Sequence, residues 1–188
     1  MLINKDMAAT AIVAASSATR GIGLKGELPW NNLSNDMKYF AKITIGNYPP
    51  NNSSSSSSTT TATTAAAAKQ KMNAVVMGRK TWNSIPTKYR PLKGRHNVVL
   101  TRDPKQFKET LTTTSNDNVL VANGLQDAWR QLAMLDNDEL GEIFIIGGSE
   151  LYERSIKEKY VHTILLTSVD TPPEMEFDTF FPDFLKDG

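Results

Sequence analysis

The chain contains no cysteine, which excludes disulfides, thiolate nucleophiles and cysteine-based metal sites. Histidine is nearly as scarce. His96 and His162 are the only imidazoles, they lack metal-ligand spacing, and no metal site is expected. Excess charge is missing too: 21 basic residues stand against 20 acidic ones, for a formal +1. That balance gives no electrostatic case for nucleic acid or an acidic membrane as the main partner. No stretch is long and apolar enough to cross a bilayer, and the start, with Lys5 and Asp6, resembles neither a signal nor a transit peptide. The expectation is a soluble, cytoplasmic protein.

What is present fits one globular domain of 188 residues. Short β-branched apolar runs recur at Ala11 to Ala15, Ala74 to Met77, Asn97 to Leu100, Val119 to Val121, Ile143 to Ile146 and Thr163 to Leu166. Continuous apolar runs predict strands covered on both faces, the habit of parallel sheets. Helical patterns lie between them. Ser34 is an N-cap candidate before Met37, Phe40 and Ala41, which share an inward face. Leu125, Ala128, Trp129, Leu132 and Leu135 form a second apolar stripe, and Ser149 to Ile156 starts a third helix after a Gly-Gly pair. The fold class is therefore α/β, a mostly parallel central sheet flanked by helices. Residues 47–71, rich in Asn, Ser, Thr and Ala, cannot bury enough apolar surface to offset their ordering entropy, and are expected to form a disordered insertion.

Chemistry enters at the corners. Gly21-Ile22-Gly23 through Pro29-Trp30 is a glycine-rich loop after the first strand; its spacing is neither the dinucleotide fingerprint nor a P-loop, and taken alone a plain surface turn explains it better. At Gly78-Arg79-Lys80-Thr81 a strand gives way to a helix, bringing backbone N–H groups, cationic side chains and a hydroxyl together. Gly147-Gly148-Ser149-Glu150 is a second such corner. Two strand-to-helix corners at carboxyl ends of parallel strands are where an open α/β sheet binds a dinucleotide. Asp36 is the only carboxylate on the apolar face of its helix, although in isolation an exposed first-turn Asp favoured by the helix dipole is the preferred reading.

The order of these motifs decides more than each alone. Gly21-Ile22-Gly23, Leu28-Pro29-Trp30, Asp36, Met77-Gly78-Arg79-Lys80-Thr81-Trp82 and Ile145-Ile146-Gly147-Gly148 together resemble dihydrofolate reductase. So do Arg90-Pro91-Leu92-Lys93-Gly94-Arg95, Leu100-Thr101-Arg102 and Asp178-Thr179-Phe180-Phe181-Pro182. The resemblance runs from about Ala11 to Pro182 and implies hydride transfer from NADPH to 7,8-dihydrofolate, giving tetrahydrofolate for one-carbon metabolism. It implies antifolate inhibitors as ligands and a monomer as the working form.

By the same resemblance Asp36 binds the pteridine 2-amino and N3 groups and assists protonation of N5. Thr167 bonds the acid and Trp30 borders its water. Ile12, Ala14 and Ile146 wall the pteridine, Met37 and Phe40 pack on the pteridine and benzoyl rings, and Leu92 lines the cleft. Arg95 takes the substrate's α-carboxylate, a task suited to a guanidinium fork. For the cofactor, the resemblance implies Gly21 and Ile22 on the closing loop, Gly78, Arg79, Lys80, Thr81, Thr101 and Arg102 around the phosphates, and Gly147, Gly148, Ser149, Glu150 and Tyr152 at the nicotinamide half. Arg102 is the expected reader of the 2′-phosphate. The chain departs from the family in two ways. It stops at Gly188, where relatives continue into a closing antiparallel hairpin, so that hairpin is expected to be missing and the strand around Ile164 to Leu166 to be an open edge. Asn123 stands where relatives often carry an Arg or Ser that contacts the cofactor. A reductase of riboflavin synthesis shares fold and cofactor, but Leu28-Pro29-Trp30, Asp36 and Arg95 argue against it.

Overall fold

A computed structural model describes residues 7–30, 33–46, 71–111, 118–135 and 139–184. The expected insertion lies outside them, apart from Lys71. The elements are β1 (Ala9–Ser16), β2 (Gly21–Gly23), α1 (Ser34–Ile45), β3 (Met72–Gly78), α2 (Arg79–Ser84), β4 (His96–Leu100), α3 (Pro104–Thr110), β5 (Val119–Ala122), α4 (Leu125–Leu132), β6 (Leu140–Ile145), α5 (Ser149–Lys157), β7 (Val161–Val169) and β8 (Thr179–Phe180).

Six strands form one sheet in the order β5-β4-β3-β6-β1-β7, and every pairing in it is parallel. The six apolar runs of the sequence all became its strands. Among the described residues β7 has one neighbour, β1, and is an edge. Among the described residues antiparallel pairing is found in β2 with β8 and in the single bridge between Leu24 and Glu27.

Both faces of the sheet are covered, and the side-chain period of two sorts the residues between them. Ala74 and Val76 of β3 join Leu125, Ala128, Trp129, Leu132, Tyr152 and Phe181 on one face. Val75 and Met77 join Ile12, Trp82, Val99, Phe107 and Phe144 on the other. α4 carries the predicted stripe: its four apolar residues are buried, each worth about 1.5–3 kcal/mol for a large side chain. Leu135 lies beyond the helix end and is only partly buried.

Three helical details differ from expectation. Leu33, not Ser34, occupies the N-cap of α1, and no side chain caps it; Ser34 is the first helical residue. Met37, placed on the inward face from its spacing, is 54% exposed. Burial in α1 is confined to Thr44 near its C-terminal end, so the apolar spacing of its first turns is not matched by a buried face. α3 was missed, although Asp103 accepts from the Gln106 N–H at 2.9 Å and Pro104 stands at the first helical position, a recognisable start.

Candidate active site

α1 and β7 bring the acid and its partner together. Thr167 Oγ1 donates to Asp36 Oδ1 at 2.7 Å, linking residues 131 positions apart. Ala14 of β1 lies opposite Thr167 in the sheet register, so the expected pteridine wall and the acid meet at the same level. An open cleft of about 660 Å³ is lined by Leu33, Asn35, Asp36, Tyr39 and Ile164 to Thr167. It reaches Asp36 and Thr167; Met37, Phe40, Leu92 and Arg95 do not line it. Trp30 is buried, and its indole Nε1 meets no acceptor among the described residues.

Of the expected substrate residues, Ile12, Phe40, Leu92 and Ile146 pack in one apolar cluster on the α1 face of the sheet. Arg95 is buried at the end of a loop beside them. Its Nη1 donates to Thr44 Oγ1 at 2.7 Å, its Nε to the Lys93 carbonyl at 3.1 Å, and its Cζ lies 5.9 Å from the Phe40 ring centroid. Among the described residues it pairs with no carboxylate, and burial lowers its pKa from the usual arginine value. A buried guanidinium with N–H groups to spare is a receptor for an anion. Asn97 shapes that loop: its Oδ1 accepts from the Leu92 N–H, and its Nδ2 donates to the Leu92 and Arg95 carbonyls, each at 2.9 Å.

The two glycine corners touch. β3 and β6 are parallel neighbours, and the Gly78 N–H donates to the Gly147 carbonyl at 2.8 Å. Gly147 has φ 130°, a conformation that favours glycine, and a Cβ there would stand 3.1 Å from Thr81 Oγ1. The Gly147–Gly148 peptide is cis. Around these corners Arg79, Lys80 and Arg102 are exposed and form no ion pair among the described residues, while Thr101 is buried. Glycine backbone at both corners, three cations without an ion pair among the described residues and two hydroxyls fit a phosphorylated dinucleotide. Ser149 starts α5 and donates to the Phe180 carbonyl; Glu150 is exposed. Tyr152 is buried in the core, its hydroxyl donating to the Ile12 carbonyl at 2.8 Å, and burial pushes its ionisation upward.

The glycine loop is held by residues that sequence reasoning left unassigned. Asp178 Oδ2 accepts from the Lys25 N–H at 2.7 Å, the Asp178 N–H donates to the Gly23 carbonyl at 3.0 Å, and Arg20 pairs with Asp183 at 2.8 Å. These bonds hold the Asp178 carboxyl below its usual pKa, the Lys25 N–H first and Thr179 second. The Phe177 ring presses on Gly21 and lies 6.4 Å from the Trp30 ring centroid. The signal was in the Asp178 to Pro182 motif, but its target lay about 150 residues away.

The chain is similar in sequence to known proteins. A family model described as dihydrofolate reductase matches residues 66–187. A dihydrofolate reductase of Candida albicans is 33% identical over 90% of this chain and 73% of its own length. That of Gallus gallus is 34% identical over 91% of this chain and 76% of its own. A bifunctional dihydrofolate reductase-thymidylate synthase of Arabidopsis thaliana is 34% identical over 97% of this chain, which spans 28% of that longer protein. The family match, the relatives' coverage and the paired acid, arginine and glycine corners lead to one conclusion: the chain belongs to the dihydrofolate reductase family.

Proposed function

We propose that this chain reduces 7,8-dihydrofolate to tetrahydrofolate with NADPH. The observation that carries the proposal is the Asp36–Thr167 pair on the same sheet face as a buried, acid-free Arg95. One end recognises a protonatable heterocycle and the other a carboxylate.

Asp36 Oδ1 is committed to Thr167, and its second oxygen has no protein donor among the described residues. That oxygen takes the 2-amino and N3 hydrogens of the pteridine and helps polarise the water that protonates N5. The Trp30 indole N–H, buried without an acceptor, serves as that water's donor. Ile12, Ala14 and Ile146 wall the heterocycle, Met37 and Phe40 contact the pteridine and benzoyl rings, and Arg95 takes the α-carboxylate beside Leu92.

With NADPH bound, the chemistry supplied is a hydride from nicotinamide C4 to pteridine C6. Arg79, Lys80, Thr81, Thr101 and Arg102 hold its phosphates, Arg102 reading the 2′-phosphate. Gly147, Gly148, Ser149 and Glu150 hold the nicotinamide half, and Gly78 lets the backbone approach. Tyr152 supports that floor from the core. Gly21 and Ile22 belong to the loop that excludes water on closure.

The same reading makes the chain a cytosolic monomer that binds antifolates and has no nucleic-acid or membrane partner. Among the described residues no helix is long and apolar enough to cross a membrane. The test is the loss of NADPH absorbance on adding dihydrofolate to the purified chain, with and without methotrexate. Methotrexate-sensitive turnover is the expected result; folded protein without turnover sinks the proposal.

A further inference from the structure

We propose that Thr44 is a positioning residue for the substrate's carboxylate: it holds the Arg95 guanidinium in place and so sets affinity for the tail without touching it. The inference rests on the reading of Arg95 as the carboxylate's partner.

Thr44 is fully buried, the sole residue of α1 in that state. A threonine hydroxyl has a single proton, and here it goes to the Phe40 carbonyl one turn back, at 2.7 Å. The oxygen is left with lone pairs only. It therefore faces Arg95 as a fixed acceptor and takes the Nη1 hydrogen at 2.7 Å. Phe40 closes the arrangement, since its carbonyl fixes the hydroxyl while its ring lies 5.9 Å from the guanidinium carbon. The Lys93 carbonyl holds Nε at 3.1 Å. Thr44 and the Lys93 carbonyl thus pin the guanidinium at two nitrogens, and its remaining N–H groups stay available.

A valine at position 44 keeps the shape of the side chain and removes the acceptor. One N–H of a buried cation then loses its partner, and the arginine turns toward solvent to regain one. A serine keeps the hydroxyl. The role is therefore separable from packing.

The test uses the full chain with Thr44→Val, Thr44→Ser, Thr44→Ala and Arg95→Gln. Inhibition constants are measured for methotrexate, which carries the glutamate tail, and for a 2,4-diaminopyrimidine inhibitor without a carboxylate. KM and kcat for dihydrofolate are measured alongside. Thr44→Val should raise the methotrexate constant and the dihydrofolate KM about tenfold, with the tail-free ligand and kcat changed by less than about twofold. Thr44→Ser should restore the parent values. If Thr44→Val does not fold, Thr44→Ala gives the same ratio of ligand affinities. Equal weakening of both ligands, or no change in a folded variant while Arg95→Gln separates them, overturns the proposal. If Arg95→Gln itself fails to separate them, the carboxylate reading of Arg95 falls, and the role of Thr44 falls with it.

Discussion

The Thr167 hydroxyl donates to the Asp36 carboxylate at 2.7 Å, so one acid oxygen is fixed by β7 while the other is left for a ligand. Replacing Asp36 by Asn keeps the shape but removes the charge that polarises a proton donor. Turnover at neutral pH should fall about a hundredfold or more, and NADPH binding should stay close to that of the parent. Stopped-flow rates with a fluorescence titration of the cofactor check both halves; undiminished turnover removes Asp36 from the mechanism. Thr167→Val should give a smaller loss in the same direction.

The Phe177 ring lies against the α-carbon of Gly21, so any side chain there collides with ring atoms. Phe177 also neighbours Trp30 and Phe180, with centroids at 6.4 and 6.3 Å. Gly21→Ala should destabilise the fold by about 1–3 kcal/mol and lower kcat/KM, because the displaced ring moves Trp30. Thermal unfolding and steady-state kinetics measure the two effects. Trimming the ring with Phe177→Ala in the same chain should recover part of the stability, and a lack of any recovery means the contact is not the cause.

Arg102 is exposed, follows buried Thr101 and has no acidic partner among the described residues. If it reads the 2′-phosphate, Arg102→Ala should raise the NADPH KM roughly ten- to a hundredfold, the worth of a hydrogen bond to a charged group. NADH, which lacks that phosphate, should respond little. Equal losses for both cofactors would assign Arg102 elsewhere.

His96 gives a pH prediction. Burial lowers its pKa from 6.5, opposed by the charge and the backbone carbonyl of Glu139. Its Nε2 is buried without a partner, so protonation would create an N–H with nothing to bond. The unfolded chain then binds more protons below about pH 6.5, and stability is full above that value and falls as the pH drops. Urea unfolding from pH 8 to 5 should show this slope, and His96→Asn should flatten it.

Periodicity and motif order made the six parallel strands, α4 and both glycine corners legible, because those features are set by neighbours in sequence. Asp36 and Thr167 came from the family pattern, and the structure places them in contact. What could not be read depends on distance along the chain. Thr44 reads as an indifferent helix former until Arg95, 51 residues on, is folded against it. Phe177 is one aromatic in a polar segment until Gly21 meets it. β2 and β8 have three and two residues and exist through each other. Met37 failed because spacing gives a helix face, while whether anything covers that face is tertiary.

The strand order also bears on synthesis. β1, the first strand made, lies between β6 and β7, the last two members of the sheet. Strands β3, β4 and β5 find their partners soon after emerging, whereas β1 waits until Leu140 and Val161 have been translated. A nascent chain therefore carries its Ile12 and Ala14 unpaired until then, a window in which chaperones are most useful.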